Sequence, residues 1–142
     1  MADFTLCETD WTHDASRLSV VRRAVFIEEQ GIPEALEWDA HDATALHILA
    51  LNIVGTPIGC ARLLTDGHLG RMAVLPSWRG VGIGKALLAA LKHAAQVRGY
   101  SVLRLSAQTH AAGFYAAAGF EAVGTEYAEA GIPHVAMQLI LT

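Results

Sequence analysis

Residues 79–85, RGVGIGK, follow the apolar segment RMAVLP and lead into the amphipathic stretch IGKALLAALKHAAQV. A strand feeding a glycine-rich helix start is a common phosphate cradle, because the first N–H groups of a helix are unpaired and lie at the positive end of its dipole. Two familiar spacings fail here. In G-x-G-x-x-G counted from Gly80, Lys85 takes the third glycine position; in G-x-x-x-x-G-K-[ST], Arg79 takes the first glycine position and Ala86 the hydroxyl position. The pattern that fits is R-x-x-G-x-G over Arg79–Gly84, whose glycines let successive amides turn inward onto an anion such as a pyrophosphate. By itself a glycine trio also suits a tight strand-to-helix connection. A second stretch, QTHAAGFYAAAGF at residues 108–120, holds a single phenol, Tyr115, between Phe114 and Phe120. In isolation it reads as one more packing aromatic, and Phe114 and Phe120 read as core. Other chemistry is sparse. Cys7 and Cys60 have no C-x-x-C spacing and read as small buried residues. The seven histidines include no H-E-x-x-H and no i, i+4 pair, so no metal site is expected. No Ser or Cys carries the signature of an activated nucleophile.

The elements that must position these groups follow from periodicity. Leu18, Val21, Val25 and Phe26 share one face of a helix between Ser16 and Gln30, stopped by Gly31 and Pro33. The polar segment EALEWDAHDA reads as a loop into ALHILALNIV, where His47, Leu49 and Leu51 alternate with Ile48, Ala50 and Asn52. Turns at Gly55–Pro57 and Asp66–Gly67 then predict an antiparallel meander through IGCARLLT and HLGRMAV. Ile83, Ala86, Leu87, Ala90, Leu91 and Ala94 form the apolar stripe of a second helix ended by Gly99. Beyond it come a strand in SVLRLSAQ, a short helix in HAAGFYAAA, and strands at residues 120–124 and 134–141. This order predicts one α/β domain over residues 1–142, a mixed sheet with helices on both faces.

Composition narrows the function classes. The chain is 53% hydrophobic and 17% charged, without repeats, which excludes a disordered polypeptide. No apolar run approaches the ~18 residues of a membrane span, and no basic leader precedes an apolar stretch, so a cytoplasmic, non-membrane protein is expected. A formal charge of −4 argues against nucleic acid as partner. Arg22 and Arg23 could meet an acidic acceptor or be solvated charges on a helix face.

The phosphate turn after RMAVLP and the Gln108–Phe120 stretch, in this order, resemble the GNAT superfamily of acyl-CoA-dependent N-acetyltransferases. That superfamily carries [QR]-x-x-G-x-[GA] and, downstream, N-x-x-A-x-x-[LF]-Y-x-x-x-G-F. VRRAVFIEEQGIP, LSAQTHAAGFY and AGIPHVAM resemble its ElaA-like branch, which Gln108 in place of Asn also suits. The resemblance implies an α+β fold, a twisted, mostly antiparallel sheet of six to seven strands, and acetyl-CoA as cosubstrate without a metal. It implies that the backbone of Met72, Ala73 and Val74 pairs with the pantetheine arm. Arg79, Gly80, Val81, Gly82, Ile83, Gly84 and Lys85 would hold the diphosphate, with side-chain charge from Arg79 and Lys85, and Gln108 would contact the cofactor. Tyr115 corresponds to the family tyrosine facing the coenzyme A sulfur, a general acid. Phe26, Glu28 and His134 would line the acceptor side. The general base is Glu28 or Glu29 at the helix end, Glu28 being favoured, or His134. The implied reaction is direct acetyl transfer to a primary amine of a small molecule or peptide. The alternatives are a non-catalytic acyl-CoA-binding sensor or partner protein and, behind it, a nucleotide-phosphate binder. The apolar last strand offers an edge for a homodimer.

Overall fold

The computed structural model describes residues 3–141. The chain runs β1 (Phe4–Thr9), α1 (Trp11–Arg22), a π-helical turn (Arg23–Glu29), α2 (Glu34–Glu37), β2 (Leu46–Asn52), β3 (Pro57–Leu63), β4 (His68–Val74), α3 (Ile83–Val97), β5 (Val102–Gln108), α4 (Ala112–Ala117), β6 (Glu121–Ala122), β7 (Tyr127–Glu129) and β8 (Ile132–Ile140). The eight strands form one sheet in the order β1-β2-β3-β4-β5-β8-β6, with β7 also paired to β8. All pairings are antiparallel except β4–β5, which α3 connects. The mixed sheet, its meander and its mostly antiparallel pairing are those expected from the sequence. The strands beyond expectation are β1 and β7.

Alternation along β2 sends its side chains to two cores. Ile48 and Ala50 pack with Ile58, Ala61 and Leu63 against Ile83, Leu87, Leu88, Leu91 and Ala95 of α3. Leu49 faces the other way, and with Cys60 and Ala73 it meets Leu18, Val21, Val25 and Phe26. Each fully buried leucine contributes about 1.5–3 kcal/mol, so α3 and α1 are held chiefly by these stripes. Asp10 caps α1 by accepting from the His13 amide at 2.9 Å.

Arg22 departs from the expectation of a solvated or acceptor-facing charge, being 1% exposed. Its guanidinium donates to Glu37 Oε2 at 2.8 Å and to Asp42 Oδ1 at 2.7 Å. It lies 5.3 Å from the Trp11 ring and 5.0 Å from the Trp38 ring. Arg62 bonds Asp39 at 2.8 Å and Asp42 at 3.0 Å, and Arg71 meets Glu37 Oε2 at 3.1 Å and Asp39 at 3.3 Å. Three arginines are thus matched by three carboxylates. Buried ions demand such pairing, since an isolated one would cost several kcal/mol. The segment expected as a plain polar loop supplies all three carboxylates. It holds α2 and a 3₁₀ turn at Ala40–Ala43, closed by a capping box between Asp39 and Asp42. His47 is buried too, its Nε2 2.9 Å from the Asp42 carbonyl, and burial pushes its pKa down. Arg23 is exposed and pairs with Glu34 at 2.6 Å.

Candidate functional site

β4 and β5 pair only at His68↔Arg104 and Leu69↔Leu105. Beyond these two pairs, β4 from Gly70 onward and β5 from Ser106 onward face a gap. A cavity of about 820 Å³ opens there, walled by Gly70–Val74 and Leu105–Gln108. A β-bulge shapes the β4 wall: Arg62 pairs with Gly70 but Cys60 with Ala73, leaving one extra residue on β4. Arg71 takes up the irregularity with φ +48°. The Cys60 thiol donates to the Arg71 carbonyl at 3.4 Å and is pushed up to about 12 by burial, so it is a packing group and no nucleophile.

At one end of the cavity the glycine turn enters α3. Gly80 and Gly82 have φ of +82° and +92°, left-handed conformations that favour glycine. The first helical bond here is Ala86 N–H to the Gly82 carbonyl at 3.0 Å. Among the described residues the amides of Gly80, Val81, Gly82, Ile83, Gly84 and Lys85 donate to no protein acceptor. A run of unsatisfied donors at a helix N-terminus is the arrangement that a diphosphate fits. Lys85 is exposed and lines the cavity. The Arg79 side chain is engaged elsewhere, which corrects the expectation that it adds free charge. Its Nη1 and Nη2 grip Glu29 at 2.8 and 2.6 Å, and Nε donates to the Val74 carbonyl at 2.9 Å. The hydrogen bond to Glu29 raises the Arg79 pKa, and that from Arg79 lowers the Glu29 pKa.

Tyr115 projects from α4 into the same cavity. Its ring packs edge-on to Phe114 at 5.1 Å and Phe120 at 6.0 Å, and its hydroxyl lies 3.9 Å from the Met72 sulfur. Burial pushes the phenol above its ordinary pKa. Phe120 is core at 3% exposure, but Phe114 is 38% exposed and lines the cavity beside Gly84, so it is not the core residue expected.

The acceptor-side residues divide. Phe26 and His134 line the cavity, whereas Glu28 is exposed and lies outside it; Glu29 faces it instead. The cause is the π-helical turn, in which Gln30 N–H bonds the Val25 carbonyl at 3.0 Å, five residues back, and rotates the side chains away from α-helical directions. Gln108 exchanges amide hydrogen bonds with Gln30 at 2.8 and 3.4 Å, tying the end of β5 to the π turn. His134 is 6% exposed, with Nδ1 2.7 Å from the Ile132 carbonyl. A carbonyl only accepts, so Nδ1 carries the proton and Nε2 of the neutral ring keeps its lone pair. That nitrogen lies 3.4 Å from Glu129, and the ring stacks on Tyr127 at 6.1 Å. Tyr127 in turn hydrogen-bonds Ser106. Gln30 and Ser106 lie inside the stretches VRRAVFIEEQGIP and LSAQTHAAGFY, though no role is legible for them there, and no motif or period marks Glu129. Only Gly131 signals the β7–β8 turn.

The family profile described as an acetyltransferase (GNAT) domain matches residues 11–141. A Bacillus subtilis (strain 168) protein is 41% identical over 123 residues, 82% of this chain and 83% of its own. The crystal structure of Escherichia coli ElaA superposes with a TM-score of 0.85 at 27% identity, covering 96% of this chain and 99% of that one. An acyl-CoA N-acyltransferase from Pseudomonas aeruginosa superposes with a TM-score of 0.83 at 30% identity, covering 97% and 99%. No helix among the described residues is long and apolar enough to cross a membrane.

Proposed function

The chain belongs to the GNAT acetyltransferase family, and from that premise we propose that it transfers the acetyl group of acetyl-CoA to a primary amine of a small molecule or peptide, with Tyr115 as general acid. The observation that carries this reading is one cavity with unpaired turn amides at one end and a buried phenol on its wall.

The amides of Gly80–Lys85 and the Lys85 ammonium hold the diphosphate, while Arg79 braces the turn through Glu29 rather than binding the anion itself. The backbone of Met72, Ala73 and Val74 borders the unpaired side of β4 and receives the pantetheine arm as an added strand would be received. When bound, acetyl-CoA supplies a thioester whose carbonyl carbon takes the amine lone pair, the C–N bond forming and the C–S bond breaking as the thiol leaves. Tyr115, protonated at neutral pH, gives its hydroxyl proton to the departing sulfur and regains one from the acylated nitrogen through solvent. His134 takes over the base role expected of Glu28. Its Nε2 lone pair accepts one proton from the incoming ammonium, leaving the nitrogen free to attack. Gln108, held by Gln30, positions the end of β5.

The test pairs calorimetry with acetyl-CoA and a thiol-release screen against polyamines, amino sugars, amino acids and lysine peptides. Binding with thiol release supports the reading; binding without release from any amine would favour a non-catalytic acyl-CoA sensor. Gly82→Ala probes the turn separately. An added Cβ meets no atom within 4 Å, so the cost lies in the left-handed φ of +92°. That strain is about 1–2 kcal/mol, and relaxing it turns the amides away; calorimetry should show coenzyme A binding weakened roughly tenfold. An unchanged affinity would remove the turn from the binding site.

A further inference from the structure

The charges along the cavity are matched in pairs with two exceptions. Glu29 neutralises Arg79, and the cavity-facing Glu37, Arg62 and Arg71 belong to the balanced buried network. Lys85 has no carboxylate partner among the described residues, and it lies at the phosphate turn. Glu129 has only the His134 imidazole beside it among the described residues, a partner that is no permanent cation. The cavity is thus positive where an anion is expected and negative on the β7–β8 hairpin.

The two hairpin groups differ in depth: the His134 side chain is 7% exposed and that of Glu129 is 57% exposed. An amine about to attack must be neutral, so a carboxylate at the rim cannot serve by holding the reacting nitrogen as ammonium. Building on the transferase reading, we infer that Glu129 seats a second cationic group of the acceptor, and that the acceptor is an aliphatic diamine or polyamine. Its inner nitrogen yields a proton to His134 while an outer ammonium stays on Glu129. Arg62 and Arg71 are already neutralised, so among the described residues the cavity offers no free cation besides Lys85 for the carboxylate of an α-amino acid.

The test compares wild type, Glu129→Gln and Glu129→Asp with 1,4-diaminobutane, n-butylamine and glycine. Readouts are thiol-release kinetics, calorimetry of diaminobutane binding to the protein–coenzyme A complex, and acetyl-CoA affinity. In the wild type diaminobutane should exceed butylamine about tenfold in kcat/KM, the scale of one partly exposed charged hydrogen bond. Glu129→Gln should remove that advantage chiefly through the KM of diaminobutane, with acetyl-CoA affinity unchanged, and Glu129→Asp should restore part of it. Equal use of the two amines by the wild type, preference for glycine, or a Glu129→Gln variant that keeps the advantage would overturn the inference. If no amine releases thiol, the transferase reading fails, yet calorimetry still decides the seat. Diaminobutane binding that Glu129→Gln weakens supports it, and no such binding refutes it.

Discussion

Tyr115→Phe should lower the turnover of acetyl transfer about 10²–10⁴-fold, the range for loss of a positioned general acid, while coenzyme A affinity and folding persist. The ring contacts with Phe114 and Phe120 survive in phenylalanine. Among the described residues the hydroxyl's one hydrogen-bond partner is the Met72 sulfur, a weak approach at 3.9 Å, so its removal costs little stability. Burial is what suits the group to its role. It raises the phenol above the ordinary tyrosine value of about 10, keeping the proton in place at neutral pH until charge develops on the sulfur as the C–S bond breaks. The sign for activity follows: on the alkaline side, wild-type turnover declines as pH rises above about 10 and the phenol ionises, and the residual activity of Tyr115→Phe lacks that limb. Steady-state rates across pH, with a thermal melt and a coenzyme A titration, check all three statements. A variant with full turnover would make Tyr115 a packing aromatic after all.

Legibility in the sequence tracks how local each cause is. The stripe Ile83–Leu87–Leu91 and the alternation of Ile48 and Ala50 against Leu49 are written in periods of 3.6 and 2, and both core faces follow from them. The turn at Gly80 and Gly82 is legible because left-handed backbone and unpaired amides need glycine at fixed places. Glu28 is misplaced by the sequence because a 100° step per residue does not hold in a segment that winds as a π turn, and VFIEE contains neither glycine nor proline to mark the change. Phe114 reads as core since apolar type does not say which side of a six-residue helix abuts a cavity. Arg22 is hardest. Its partners Glu37 and Asp42 come from a polar segment 15 and 20 residues on, and no periodicity links them. Tyr127–Glu129 is too short for alternation to show, so the carboxylate Glu129 emerges only from the fold.

Arg22→Met should destabilise the fold by about 3–5 kcal/mol, because it strips the common partner from two buried carboxylates. Asp42 is 2% exposed and Glu37 likewise, so neither can turn to water for compensation. Arg62 and Arg71 remain, but Arg62 already serves Asp39 as well as Asp42, and Arg71 serves Asp39 as well as Glu37. Arg22→Lys should fall between, since one ammonium cannot fork to both acids or lie flat between Trp11 and Trp38. Burial pushes the Asp42 carboxyl up, but hydrogen bonds and charge from Arg22 and Arg62 outweigh it and hold the pKa below 3.8. A depressed carboxylate pKa stabilises the fold above the unfolded value and loses that contribution as pH falls through the folded one. The gap between wild type and Arg22→Met should therefore be widest near pH 7 and narrow below about pH 4, as urea titrations at several pH values would reveal. A pH-independent gap, or one below about 1 kcal/mol, would mean that Arg22 acts by packing against the tryptophans and not by charge. Because Glu37, Arg62 and Arg71 also wall the cavity, the same substitution should weaken acceptor use before it unfolds the chain. The buried network thereby joins the stability of the α1 side to the shape of the cleft.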